Sequence, residues 1–196
     1  MTFCKKIKYL LCGTTCKCGF LCYYERVCNM EKRDLYDSLK NLTGEYIYAK
    51  DEIPENRYIL IVVIFIQNSK GDFLLQKRSD AKGGKWASTG GHPKMGESSY
   101  EGICTEVAEE IGLDITSYKK NIHLFESKHN NNSFCDLYYL NTDIDISGLK
   151  KQDEEVTDIK WFTQSEIEEL IKNDEMHKTH VKMYRDCIDY LNMTNK

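Results

Sequence analysis

No run of about 18 apolar residues occurs in the chain, so no membrane-spanning helix is expected. There is no excess of positive charge either. The formal net charge is −4 over 196 residues, and polymeric nucleic acid, held mainly by Lys and Arg on phosphate, is not an expected partner. That small total conceals an asymmetry. Lys5, Lys6, Lys8, Lys17 and Arg26 against Glu25 give residues 1–29 a charge of +4, which leaves −8 for residues 30–196. An acidic body is compatible with the recruitment of divalent cations.

The cysteines also lack metal-binding order. Six of the nine, Cys4, Cys12, Cys16, Cys18, Cys22 and Cys28, fall in the first 29 residues, but no two are spaced as CxxC and the segment has no histidine. A zinc site there has little support. As a signal peptide the segment is equally weak: the apolar patch Tyr9 to Cys12 is short, Lys17 breaks the stretch after it, and Leu11 is larger than a lipoprotein cleavage site prefers. Met30 opens "MEKRDLYD", where the composition becomes that of a folded domain. The expectation is a Cys-rich basic leader over 1–29, disordered or upstream of a natural start at Met30, followed by one domain over 30–196. An intact native mass that includes residues 1–29 would exclude the start at Met30. Cys104, Cys135 and Cys187, scattered and odd in number, read as free thiols of a reducing, cytoplasmic compartment.

What is present fits one ordinary globular domain, with 41% apolar and 30% charged residues. "RYILIVVIFIQ", Arg57 to Gln67, is too continuously apolar for a one-sided strand and predicts a central strand buried on both faces. "NSKGD" is turn chemistry, and "FLLQKRS" comes next as the second arm of a hairpin. Beyond a loop with Gly83 and Gly84 comes a short apolar segment around Trp86. "NIHLFESKH" and "FCDLYYLNT" predict a second hairpin and "EVTDIKWF" a further strand. Helices are expected at Ser98 to Ile111, near Ser165 to Lys172, and from about His177 to Leu191. Hairpins with few βαβ crossovers favour a mixed sheet covered by helices, an α/β/α sandwich.

The first of these helices carries the chemistry. Ser98 as N-cap and Glu101 three residues on form a capping box. At roughly 100° per residue, Tyr100, Ile103, Cys104, Val107 and Ile111 share one arc while Glu106, Glu109 and Glu110 share another. Cys104 thus reads as packing rather than as a nucleophile. No Lys or Arg occurs after Lys94 in the stretch to Leu113, and glutamates at i, i+3 and i+4 repel by about 0.2–0.5 kcal/mol per pair. A hard divalent ion with oxygen ligands would offset this, although an acidic helix face is ordinarily just solvated. Gly90 and Gly91 lie just upstream, where backbone can approach an ion or phosphate without Cβ obstruction.

This segment resembles the Nudix box of the Nudix hydrolases, Gx5Ex7REUxEExGU with U a bulky aliphatic residue. Gly91, Glu97, Glu106, Val107, Glu109, Glu110, Gly112 and Leu113 match at the expected spacing, eight of nine defined positions. The resemblance implies hydrolysis of a nucleoside diphosphate linked to another group, with water attacking phosphorus and Mg²⁺ (or Mn²⁺) bound. It implies Glu106, Glu109 and Glu110 as metal ligands and catalytic residues, Glu106 also orienting or deprotonating the water, and the Gly90 carbonyl as a further ligand. The departure is Thr105, where the family has arginine. Thr105 supplies a hydrogen bond but no charge, so Glu97 is expected to lose its usual partner and Glu106 to be held more loosely. A Nudix-fold module that binds a nucleotide without turning it over is the alternative this substitution raises.

Outside the box, Lys77 and Arg78 end a strand expected to run beside the metal, where they either bind substrate phosphate or are a solvated strand end. "GGHPKMGES" also resembles isopentenyl-diphosphate isomerase, but that enzyme's catalytic cysteine would fall at Gly90, and its upstream metal-binding histidines have no counterpart before His92. His92 is read as a loop residue near substrate. In "QDEEV", Asp153, Glu154 and Glu155 offer a further carboxylate, of which Glu155 is favoured. Tyr138 and Tyr139 occupy opposite faces of one strand, so that one stacks on a base while the other is buried. Trp86 and Trp161 read as core, His177 and His180 as surface. The resemblance makes a homodimer an option, and nothing selects among coenzyme A, ADP-ribose, dinucleoside polyphosphates or oxidised nucleotides.

Overall fold

In the computed structural model residues 31–152 and 154–194 are described, so the readings made for the leader and for Asp153 lie outside the described residues. Along the described chain run β1 (Lys32–Tyr36), β2 (Leu42–Tyr48), β3 (Ile59–Gln67), β4 (Phe73–Arg78), β5 (Trp86–Ala87), β6 (Thr89–Gly91), α1 (Ser99–Ile111), β7 (Ile122–Asn130), β8 (Ser133–Asn141), β9 (Val156–Phe162), α2 (Gln164–Lys172) and α3 (Lys178–Thr194). β1 and β2 pair antiparallel as a separate ribbon, and the other seven strands form one mixed sheet.

β3 is the sheet's spine. It runs parallel to β8 through nine pairs, Ile59 with Ser133 to Gln67 with Asn141, and β7 extends that side antiparallel. Successive side chains point to opposite faces, so a wholly apolar strand needs cover on both. Val63 and Phe65 join Leu137 and Phe162 under α2 and α3, meeting Ile167, Met183 and Tyr184. Val62, Ile64 and Ile66 join Leu74, Tyr138 and Leu140 under α1, meeting Ile103, Val107 and Ile111. The α/β/α sandwich results from that double burial. Trp86 and Trp161 pack, half-buried, against the two clusters respectively. No helix among the described residues is long and apolar enough to cross a membrane.

The first hairpin departs from expectation in one respect that positions the site. β3 and β4 pair only at Ile66 with Leu74 and Gln67 with Phe73. Past that point β6 takes the edge of β3, pairing Val62, Val63 and Ile64 with Gly91, Gly90 and Thr89. β4 instead pairs with β5 and, along its length, with β9.

Two further readings are corrected. Tyr138 and Tyr139 do face opposite ways, but both are buried: Tyr138 Oη donates to Ser99 Oγ at 2.7 Å and Tyr139 Oη to Gln67 Oε1 at 2.6 Å. Neither ring is free to stack on a base. His180 is buried and His177 half-buried rather than on the surface, because the first turn of α3 lies beside β5, where His177 N donates to the Trp86 carbonyl at 2.8 Å.

Candidate active site

The capping box forms as its spacing requires. Ser98 Oγ accepts from Glu101 N at 3.3 Å and Glu101 Oε2 accepts from Ser98 N at 2.8 Å. With the start of α1 so fixed, its apolar arc docks on the sheet, and Glu106 and Glu110 reach toward the glycine strand β6. Glu110 is only 7% exposed. Its Oε2 accepts from Gln76 Nε2 at 2.8 Å and from Gly90 N at 3.3 Å. Glu106, half-buried, accepts from His92 N at 2.8 Å. Two carboxylates one helical turn apart are therefore bonded to backbone amides two residues apart.

The glycines are what allow this approach. A Cβ on Gly91 would lie 2.5 Å from Glu106 Cδ, and one on Gly90 would lie 2.8 Å from Val63 Cα and closer still to the Val62 carbonyl oxygen. Any side chain at either position would force carboxylate or strand apart. The third glutamate behaves differently: Glu109 is exposed and forms an ion pair with Lys94. Among the described residues no three His, Cys, Asp or Glu side chains form a metal-sized cluster.

The surroundings set the charge states. Burial pushes the Glu110 carboxyl above its ordinary range; the bonds from Gln76 and Gly90 oppose this, Glu155 reinforces it and Lys82 opposes it. His92 is held down to about 4, first by burial and then by Arg33 and Lys82, so its imidazole is neutral at pH 7. Lys82 Nζ and Glu155 Oε2 are paired at 2.6 Å. Glu155, the favoured outside carboxylate, thus stands within electrostatic reach of Glu110, whereas Glu154 is exposed.

One reading changes. Glu97 does not lose its partner: Thr105 Oγ1 donates to Glu97 Oε1 at 2.8 Å, and Glu97 Oε2 accepts from Lys94 N at 2.8 Å. Among the described residues no hydrogen bond or ion pair joins Lys77 or Arg78 to the glutamates. Lys77 is exposed, while Arg78 Nε donates to the Lys82 carbonyl at 3.1 Å and its charge acts on His177 and His180. Lys94, on Glu109, and Lys82, whose charge acts on Glu110, are cations that the fold does bring to the cluster. Sequence reasoning also missed Gln76 and Thr89; their one signal was a glutamine directly after the apolar run Phe73 to Leu75 and, like it, buried.

The Nudix domain model matches residues 57–187. The chain belongs to the Nudix hydrolase family. This Nudix enzyme is 31% identical over 148 residues to an uncharacterised Nudix hydrolase of Listeria monocytogenes, covering 72% of this chain and 85% of that one. An isopentenyl-diphosphate Delta-isomerase of Photorhabdus laumondii is 30% identical over 118 residues, 56% of this chain and 65% of that one. A Deinococcus radiodurans protein of known crystal structure shares the fold, with a TM-score of 0.60 at 22% identity over 74% of this chain and 91% of that one. The contact between Gly90 and β3 leaves no room there for the cysteine that isomerase chemistry implies.

Proposed function

We propose that this Nudix hydrolase cleaves the phosphoanhydride bond of a nucleoside diphosphate linked to another group, using Mg²⁺ or Mn²⁺. The observation that carries the reading is the convergence of Glu106 and the buried Glu110 on Gly90 to His92. A carboxylate as buried as Glu110, bonded only to neutral donors, is costly unless a cation compensates it. The donor set is all oxygen, which suits a hard divalent ion. Glu106, Glu110 and the Gly90 carbonyl would hold it, with Glu155 from the loop before β9 and with Glu109 once Lys94 releases it.

When bound, the ion neutralises phosphate oxygen charge and lowers the pKa of water. The chain's own groups do the rest. Glu106, aligned by the His92 amide, takes the proton as water oxygen attacks phosphorus; the bridging P–O bond breaks, and the two halves leave as phosphates. Lys82, held by Glu155, supplies a positive charge that acts on Glu110. A panel of nucleoside diphosphate derivatives assayed with Mg²⁺ or Mn²⁺ tests the proposal. Turnover of at least one member, lost in Glu110→Gln, is expected; ligand-induced stabilisation without turnover of any member would establish the binding module instead.

A further inference from the structure

Glu110 is not held by chance packing. Its Oε2 carries both of its hydrogen bonds, from Gln76 and from Gly90, while Oε1 accepts none among the described residues. Behind Gln76 stands a second buried polar side chain: Thr89 Oγ1 donates to Gln76 Oε1 at 3.1 Å. Gln76 and Thr89 are 3% and 4% exposed. Both are delivered by the exchanged edge of β3, Gln76 by β4 where it has left β3, and Thr89 by β6 where it has taken β4's place.

A primary amide can face a carboxylate usefully in one sense only. Its nitrogen donates and its oxygen accepts, so a reversed amide would set two acceptor oxygens against each other in a dry site. The Thr89 hydroxyl, donating to the amide oxygen, fixes the sense in which Nε2 meets Glu110.

We propose that Gln76 and Thr89 are positioning residues for Glu110: Thr89 orients the Gln76 amide, and Gln76 anchors Oε2 so that Oε1 is presented to the divalent ion. This rests on the reading of the site as a metal centre. Outer partners of this kind typically govern metal affinity by 10–100-fold, on the order of magnitude expected here for Gln76→Leu. Thr89→Val, isosteric but without the hydroxyl, is expected to weaken Mn²⁺ binding by about threefold to tenfold, and Thr89→Ser to restore it. Because Thr89 acts through Gln76, the double variant Gln76→Leu/Thr89→Val should bind like Gln76→Leu alone.

The test is Mn²⁺ titration of the full chain, by calorimetry or by electron paramagnetic resonance of free Mn²⁺, at a temperature where every variant is folded by circular dichroism. Thr89→Val binding as tightly as wild type, Thr89→Ser binding as weakly as Thr89→Val, or independent effects in the double variant would overturn the proposal. Glu110→Gln separates it from the parent reading. Loss of Mn²⁺ in Glu110→Gln with no effect of Thr89→Val sinks the positioning role alone. Wild-type affinity in Glu110→Gln, or no binding by the wild type, sinks both.

Discussion

Replacing Thr105 by valine keeps the shape of the side chain and removes one donor. In the structure that donor is the 2.8 Å bond to Glu97 Oε1, whose other oxygen holds Lys94 N. Hydrogen bonds to charged groups contribute about 1.5–3 kcal/mol net. Thr105 and Glu97 are half-buried and Glu97 keeps the Lys94 amide, so the lower end applies, a loss of about 1.5 kcal/mol. For a protein of this size that lowers the unfolding midpoint by about 3–6 °C, readable by calorimetry. The loop from His92 to Lys94 is stretched between two carboxylates, Glu106 at His92 N and Glu97 at Lys94 N. Loosening one end should misalign the other, and kcat/KM should fall about threefold to tenfold, or about 0.7–1.4 kcal/mol in the barrier. Thr105→Arg, which restores the family's usual residue, should raise the rate by no more than about threefold, since the hydroxyl already holds Glu97. An unchanged midpoint and rate in Thr105→Val, or a gain of tenfold or more in Thr105→Arg, would refute the claim that the hydroxyl replaces the guanidinium.

Gly90→Ala should destabilise the fold by about 3 kcal/mol or more, because its Cβ would press on the backbone of β3 rather than on a movable side chain; a urea midpoint equal to wild type would contradict that contact. His180 is buried and its pKa is held down to about 3, by burial first and then by His177 and Arg78. Unfolded histidine binds its proton near pH 6.5, so below that pH the unfolded state holds more protons. The stability conferred by the neutral imidazole is therefore present above about pH 6.5 and is lost as pH falls toward about 3, roughly 2 kcal/mol of it by pH 5. Urea unfolding at pH 7.5 and pH 5 should show that loss in wild type and a smaller one in His180→Gln; equal losses would show that His180 does not carry it.

The legible parts of the fold were those in which one periodicity dominates. The apolar run of β3 could be covered only from both faces, which makes the sandwich, and counting separated the two arcs of α1, although Glu109 turns outward to Lys94 while Glu106 and Glu110 turn to β6. Elements held by pairing rather than by side chains were not legible. Thr89 to Gly91 has the composition of a loop, and it is a strand because β4 leaves an edge of β3 unpaired. β1 and β2 bury few side chains and show no clean alternation. The site divides the same way. Gly91 and the glutamates carried a spacing, whereas Gln76 bonding Glu110 across 34 positions, and Lys94 turning to Glu109 across 15, are products of the fold.

The central claim is that water attacks phosphorus at the site built by Glu106 and Glu110. It is tested most directly by turnover in ¹⁸O-labelled water with Mg²⁺, using whichever diphosphate derivative of the panel turns over fastest. The account predicts one labelled oxygen in one phosphate-bearing product, and no labelled product above background in Glu110→Gln. Products free of the label, or undiminished labelling in Glu110→Gln, would contradict it.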